Sequence, residues 1–236
     1  MPARDHRRLA LIIPCFNEAK SLRALVARCA IVAATGEVEV ILVDNGSTDA
    51  TTDVLPSLLE GRDGVRAVRV DVNQGYGHGI LAGLRAADAD LLGWTHADLQ
   101  TDPIDILRAL PLFDDERVGF VKGRRSGRPL GDVAFTIGMS IFESALLRTR
   151  LWDINAQPTV FRRRFFDAWS SPPTDFSLDL YAYYHARKNG VRVRRFPVVF
   201  GARQHGVSHW NVDWRSKARF IRRTVAFSLD LRRRGD

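Results

Sequence analysis

The chain has 236 residues, 45% of them apolar and 26% charged, with 35 Lys and Arg against 27 Asp and Glu. This composition is ordinary for a soluble globular protein, excludes a wholly disordered or collagen-like chain, and at this length fits one α/β domain or two very small ones. Two cysteines, Cys15 and Cys29, imply neither a disulfide framework nor a Cys-based zinc site and point to a reducing cytosol.

The first half reads as strands alternating with helices. Residues 9–14 form a short apolar run, hence a buried strand, and 21–34 have helical spacing through Leu22, Leu25, Val26 and Cys29. A second strand is predicted over 38–43, a Thr48-led helix to about residue 60, and a third strand over 65–70. A short helix over 77–87, a fourth strand over 91–95, a helix over 104–113 and a fifth strand over 118–122 follow. This alternation predicts βαβ units and a mainly parallel sheet, whose ligands gather at the carboxyl ends of the strands. The second half is less regular. A long helix is predicted over 130–149 with Phe135, Met139, Phe142, Leu146 and Leu147 on one side. An extended segment over 158–162, a helix over 177–189 and a strand over 191–200 come next, and Pro197 marks that strand as an edge. A terminal helix covers 213–234. No internal repeat or linker separates these parts, so residues 1–212 are read as the body of one domain, with 213–236 as its terminal helix.

Polar groups collect just after the strands. The first is followed by Pro14-Cys15-Phe16-Asn17-Glu18, the second by Asp44-Asn45-Gly46-Ser47-Thr48-Asp49, the fourth by His96-Ala97-Asp98-Leu99-Gln100. Asp44 and Glu18 have the acceptors to take hydrogen bonds from a ribose or base edge, and Ser47 or Thr48 can cap the next helix. The plainer reading of 44–49 is a turn with a helix cap. Glycines alternate through Gly75, Gly77 and Gly79 ahead of a helix, a pattern that lets backbone approach a ligand closely. It lacks the G-x-G-x-x-G spacing of a dinucleotide site and the Lys-Ser/Thr of a P-loop. If the backbone stays extended, His96, Asp98 and Gln100 share one face. Asp98 with Gln100 then suits a Mg²⁺ or Mn²⁺ on a diphosphate, and His96 is either a further ligand or a hydrogen-bonded pocket residue.

In this order the segments resemble glycosyltransferase family 2, and within it the dolichol-phosphate mannose synthase-like group. The I-P-x-x-N-E opening is Ile13–Glu18 and V-D-[DN]-G-S-x-D is Val43–Asp49. N-x-G-x-G-x-[AG] is found at 73–79, and D-A-D-L-Q-x-x-P at 96–103, with His96 in place of the first acid. The G-S-R segment is echoed by Gly123-Arg124-Arg125. A stretch with a phenylalanine and a basic pair falls at 153–163. An acid-bearing helix places Asp179, and the closing strand and turn fall at 197–200 and 203–208. The resemblance implies a GT-A fold, a nucleotide-diphosphate sugar donor (UDP- or GDP-linked) and inversion at the anomeric carbon. It implies that Pro14, Glu18 and Asp44, with Asn45, Ser47, Gly75 and Gly79, hold the donor. It also implies a divalent metal at Asp98 and Gln100, with Asp98 and Asp179 as the catalytic candidates, and a polyprenyl phosphate as acceptor. Ungapped matching puts the family's phosphate-gripping Arg near Asp132 and its Lys on His209, which leaves Arg124 and Arg203 as acceptor-binding candidates. A phosphate acceptor needs no strong general base, whereas a hydroxyl does. For the latter, Asp179 or Asp175 is the candidate, against the plainer reading that Asp175 caps a helix and Asp179 makes a surface pair. Transfer to a saccharide hydroxyl, and a non-catalytic module that only binds nucleotide sugar, are the alternative functions.

The formal net charge is +8, and residues 215–234 carry eight Lys and Arg against the single Asp230, so nearly all of the excess belongs to the terminal helix. On a helical wheel Phe220, Phe227 and Leu231 cluster, with Ile221, Val225 and Leu229 extending the face, opposite Arg219, Arg222, Arg223 and Asp230. Such a helix either lies on an anionic membrane surface or packs its apolar face on the body. No aromatic stacking platform accompanies the charge, so nucleic acid is not an expected partner. No apolar run approaches the ~20 residues needed to span a bilayer, and the apolar stretch before Asn17 is too short for a signal peptide. The expected setting is the cytoplasm, at the inner face of the membrane if the terminal helix docks there.

Overall fold

A computed structural model describes residues 8–201 and 214–234, with side chains described over 8–201 and 221–233. Seven strands form one sheet in the order β3-β2-β1-β4-β6-β5-β7. β1 (Leu9–Cys15), β2 (Val38–Asn45), β3 (Val65–Val70) and β4 (Leu91–Trp94) run parallel, as their alternation with α1 (Leu22–Ala33), α2 (Thr51–Leu59) and α3 (Tyr76–Ala86) predicts. β6 (Thr159–Arg162) is inserted antiparallel between β4 and β5 (Val118–Ser126), and β7 (Arg192–Val199) closes the sheet parallel to β5. β7 is an edge strand, as Pro197 predicts, and that proline is accommodated without ending the strand. α4 (Leu130–Leu146), α5 (Arg163–Asp167), α6 (Leu178–Lys188) and α7 (Trp214–Arg234) complete the fold.

β1 is covered on both faces, which is why its sequence is a continuous apolar run. Leu9, Leu11 and Ile13 join Leu25, Val40 and Val121 on one side, while Ala10 and Ile12 join Ile80, Leu84 and Leu92 on the other. Truncating such a fully buried aliphatic side chain to Ala typically costs about 2–5 kcal/mol.

Three expectations fail for local reasons. The helix predicted over 104–113 is two short 3-10 turns, Pro103–Arg108 and Leu110–Phe113. Pro103 opens the first and Pro111 is the second residue of the other, and Pro111 has no amide hydrogen to bond the preceding turn, as a continuous α-helix through 104–113 would require. The Thr48-led helix begins only at Thr51, because Thr48 is held by the Asn17 side chain. The third failure is α4. Its wheel places Phe142 inward, yet Phe142 is exposed while Ser140 and Glu143 are buried. The helix is rotated because Ser228 of α7 donates to Glu143 Oε2 at 2.6 Å and Ser140 Oγ accepts from the Asp153 amide at 3.1 Å.

Helix α7 packs on the body. Leu231 is buried, Phe227 lies against the core on the α6 side of the sheet, and Arg223 pairs with Asp175 at 2.6 Å. Arg222, Arg232 and Arg233 stay in solvent. Glu143 is fully buried, with Oε1 lacking a hydrogen-bond partner among the described residues, and it lines a cavity of about 50 Å³ with Phe135, Met139, Leu180 and Thr224. Burial pushes its carboxyl up to about 6 from 4.5, against the Ser228 hydrogen bond, which lowers it. A raised folded-state value for an acid means stability is lost as pH rises from about 4.5 through 6, worth roughly 2 kcal/mol above that window. Glu143→Gln keeps the acceptor for Ser228 and removes the charge. It should therefore raise the melting temperature by a few degrees at pH 7.5 and by little at pH 4.5, checked by thermal unfolding at both values.

Candidate active site

The carboxyl ends of β1, β2 and β4 converge, and the loops after them are tied together through side chains. Asn17 takes a left-handed conformation (φ 58°) that the Asn side chain tolerates. Its Oδ1 accepts from the amides of Thr48 at 2.8 Å and Asp49 at 3.2 Å, and its own amide donates to Ser47 Oγ at 3.1 Å. Glu18 is fastened in the same way, its amide donating to Thr51 Oγ1 at 2.9 Å and its carboxylate accepting from Ser21 Oγ. Pro14 lies half-buried at the end of β1. Asp44 is buried; it accepts from Thr52 Oγ1 at 2.6 Å and from the Ser47 amide at 3.0 Å. Burial alone would raise its carboxyl, but the hydrogen bonds from Thr52 and Ser47 outweigh that and hold it below the usual range. Asp44 therefore meets its turn role and remains an anion at the rim.

The glycine series makes room for protein. A Cβ on Gly75 would stand 2.5 Å from the Thr174 carbonyl oxygen, one on Gly77 2.7 Å from the Asp175 carbonyl, and one on Gly79 2.8 Å from the Asn45 side chain. Gly75 also has φ 117°, which side chains rarely adopt. The close approach seen here is thus of α3 to residues 173–175 and to Asn45, whose Nδ2 donates to the Gly75 carbonyl at 3.0 Å.

Beyond β4 the backbone does not stay extended. The strand ends at Trp94, and Leu99 is left-handed (φ 56°), so His96, Asp98 and Gln100 do not share a face by strand alternation. Asp98 is buried and accepts the Gln100 amide at 3.1 Å, and Gln100 Nε2 donates to the Gly201 carbonyl at 3.2 Å. The His96 ring stacks on Tyr76 at 5.4 Å, and Tyr76 stacks in turn on Phe176 at 4.7 Å. Among the described residues no group of three or more His, Cys, Asp and Glu forms a metal cage. One carboxylate with an amide oxygen beside it fits a hard cation that takes most of its shell from diphosphate and water, which is how Mg²⁺ is commonly held. On that donor chemistry Asp98 and Gln100 fit, and His96 serves as a stacking residue.

Asp179 is not the surface residue of the plainer reading. It is buried on the first turn of α6 and accepts from Gln157 Nε2 at 2.6 Å and Trp94 Nε1 at 3.3 Å, with Lys122 Nζ at 3.6 Å. Lys122 is fully buried and also donates to Thr159 Oγ1 at 2.7 Å. Burial pushes its ammonium down to about 8, opposed by the Asp179 charge. Desolvation, then the charges of Asp179 and Asp98, raises the Tyr76 hydroxyl well above its usual value. Lys122, Thr159, Gln157, Trp94 and Tyr76 were not among the sequence candidates. Lys122 carried a signal, since a lone charge closing the buried run 118–121 must find a partner.

Asp175 accepts the Ser177 amide at 2.9 Å at the start of α6 and pairs with Arg223, so its helix-end role holds. Arg124 is exposed near the end of β5. Its neighbour Arg125 turns to Asp153, joined by Arg128 at 3.7 Å. Burial raises the Asp153 carboxyl, and the Arg125 hydrogen bond and charge more than reverse this. Arg203 and His209 lie outside the described residues. Burial pushes the Cys15 thiol well up and that of Cys29 to about 12, so neither is a nucleophile.

A mainly parallel sheet with acidic and polar loops at its carboxyl edge is the arrangement in which open α/β folds bind their ligands. The chain belongs to glycosyl transferase family 2, whose model matches residues 10–169. It is 30% identical over 226 residues to a dodecaprenyl-phosphate galacturonate synthase of Rhizobium johnstonii, covering 87% of this chain and 62% of that protein. It is 33% identical over 124 residues to an undecaprenyl-phosphate 4-deoxy-4-formamido-L-arabinose transferase of Yersinia pestis, covering 50% of this chain and 38% of that one. The chain thus spans less than two thirds of the length of these curated relatives. In structure it is similar to glucosyl-3-phosphoglycerate synthase from Mycobacterium tuberculosis in complex with phosphoglyceric acid, with a TM-score of 0.76, 18% identity, and 95% of this chain and 79% of that one covered. The same enzyme with Mn²⁺, UDP and glucosyl-3-phosphoglycerate gives 0.72 at 18% identity, with 97% and 80% covered. The fold is the GT-A fold.

Proposed function

We propose that the chain transfers a sugar from a nucleotide-diphosphate sugar, UDP-linked in the first instance, to a polyprenyl phosphate, with inversion. The observation that carries this reading is the likeness, over most of the chain, to a relative named for that acceptor class. In the proposed mechanism, Pro14, Glu18, Asp44, Asn45 and Ser47 line the nucleoside site at the ends of β1 and β2, and Gly75 and Gly79 set the α3 N-terminus beside them. Asp98 and Gln100 would hold Mg²⁺ or Mn²⁺ on the diphosphate. The metal supplies Lewis-acid stabilisation of the charge developing on the leaving group. An acceptor phosphate oxygen attacks the anomeric carbon, the bond to the nucleoside diphosphate breaks, and no proton needs removing from a dianionic phosphate. Arg124, with Arg203, is proposed to steady that phosphate, and Asp179 to fix Gln157 and Lys122 beneath the site.

Such an acceptor implies work at the cytoplasmic face of a membrane. No helix among the described residues is long and apolar enough to cross one. The basic residues of α7 are proposed to favour an anionic surface at roughly 1 kcal/mol each at most. The test is a panel of radiolabelled nucleotide sugars with Mn²⁺ and undecaprenyl phosphate, read by partition into butanol. Label in the organic phase with one donor is the expected result. Label moved only to an added free saccharide would make the hydroxyl-acceptor reading the correct one.

A further inference from the structure

Helix α4 is turned inside out. It buries Ser140 at 2% exposure and Glu143 at 0%, and it exposes Leu130 at 87%, Ile141 at 62%, Phe142 at 42% and Ile137 at 37%. With Ala134, Gly138 and Ala145 also exposed, the outward residues follow the i, i+4, i+7 spacing of one helical face. That face carries no charge between Asp132 and Arg148, because Glu143, the one ionisable residue in the interval, points inward to Ser228. Water-facing helices normally present the opposite pattern, and a contiguous apolar face of this length marks an interaction surface. The neighbouring α7, bonded to α4 through Ser228 and Glu143, keeps Arg222, Arg232 and Arg233 in solvent and buries Leu231 and Ser228.

From this division we infer that α4 is the membrane-contact element, its apolar face entering the headgroup boundary of an anionic bilayer while α7 supplies the flanking positive charge. The inference rests on the lipid-phosphate reading only in that a polyprenyl acceptor resides in such a bilayer. It shifts the apolar contact from α7, whose Leu231 is buried and whose Phe227 packs on the core, to α4. Anionic headgroups complement the exposed arginines, whereas a second copy docked through α4 would bring another strongly basic α7 alongside the first. A combined apolar and basic surface is also what stable but reversible surface binding requires.

Two variants of the whole chain test this in co-sedimentation with extruded vesicles free of acceptor lipid. Ile141→Glu with Phe142→Glu changes exposed residues only, and a circular dichroism melt verifies the fold. The wild type should bind vesicles containing phosphatidylglycerol, and this double variant should bind at least tenfold less. The triple variant Arg222→Glu, Arg232→Glu, Arg233→Glu should bind phosphatidylglycerol vesicles no better than phosphatidylcholine ones. Wild-type binding by a folded α4 variant would overturn the inference. A wild-type dimer in vesicle-free buffer that the α4 variant converts to monomer would also overturn it, by assigning the face to self-association. Transfer to a water-soluble short-chain isoprenyl phosphate separates the two proposals. It should survive in the α4 variant, and its absence in a wild type that binds vesicles would reject the acceptor while leaving the membrane face in place.

Discussion

Replacing Asp98 by Asn should lower sugar transfer by about a thousandfold, the scale of several kcal/mol of charge stabilisation lost from the transition state. The effect should be this large because Asp98 is the one acid in the segment 96–100. Family members of this pattern begin the motif with a carboxylate, and here that position is His96, stacked on Tyr76. Calorimetry with UDP separates the metal role from a folding defect. The variant should bind UDP with an affinity that no longer responds to Mn²⁺, while its melting temperature stays within a few degrees of the parent. His96→Ala should cost far less, since its ring is engaged with an aromatic neighbour. A thousandfold loss there, with Asp98→Asn mild, would reverse the ligand assignment.

The second large effect concerns the buried pair. Asp179→Asn should destabilise the protein by about 3 kcal/mol or more at pH 6.5, because it leaves the Lys122 ammonium, fully buried, without its counter-charge. The sign of the pH dependence follows from Lys122. Its folded value of about 8 lies below the ordinary 10.5, so the unfolded chain binds more protons between them and stability rises with pH in that window. Without Asp179 the folded value falls further and the window widens downward. Urea unfolding should therefore show a larger penalty at pH 6.5 than at pH 9, and the double change Asp179→Leu with Lys122→Met should recover much of it. The same variant discriminates between acceptors. With a polyprenyl phosphate, the folded fraction of Asp179→Asn should keep activity within about tenfold of the parent. If Asp179 were a general base toward a hydroxyl, the loss would reach roughly 10²–10⁴.

Much of the sheet was legible because its strands are written as short apolar runs. β1 to β5 fall within a few residues of their expected places, and Pro197 correctly marks the edge. The antiparallel insertion of β6 was not legible, since nothing in residues 159–162 specifies a direction. The 3-10 turns over 103–113 were legible only in their two prolines, since the apolar spacing of 104–113 fits an α-helix equally well. In the site, the strand-end clusters were visible as clusters, but their partners were not. The local sequence around Gly75 is consistent with a ligand cradle. Only the fold shows that Thr174 and Asn45 occupy the space a side chain would need. Similarly, Asp179 reads as one acid on a helix until Gln157, Trp94 and Lys122 are seen around it. Helix α4 misled the wheel for a physical reason: the tertiary hydrogen bond from Ser228 to Glu143 set its rotation, leaving apolar residues outside.

In the proposed reaction a lipid phosphate is the group that attacks the sugar. Release of nucleoside diphosphate from the active donor, followed with and without undecaprenyl phosphate, measures this directly. Release should depend on undecaprenyl phosphate, rise with its concentration and disappear in Asp98→Asn. Release indifferent to the lipid phosphate but driven by a free sugar or alcohol would contradict it.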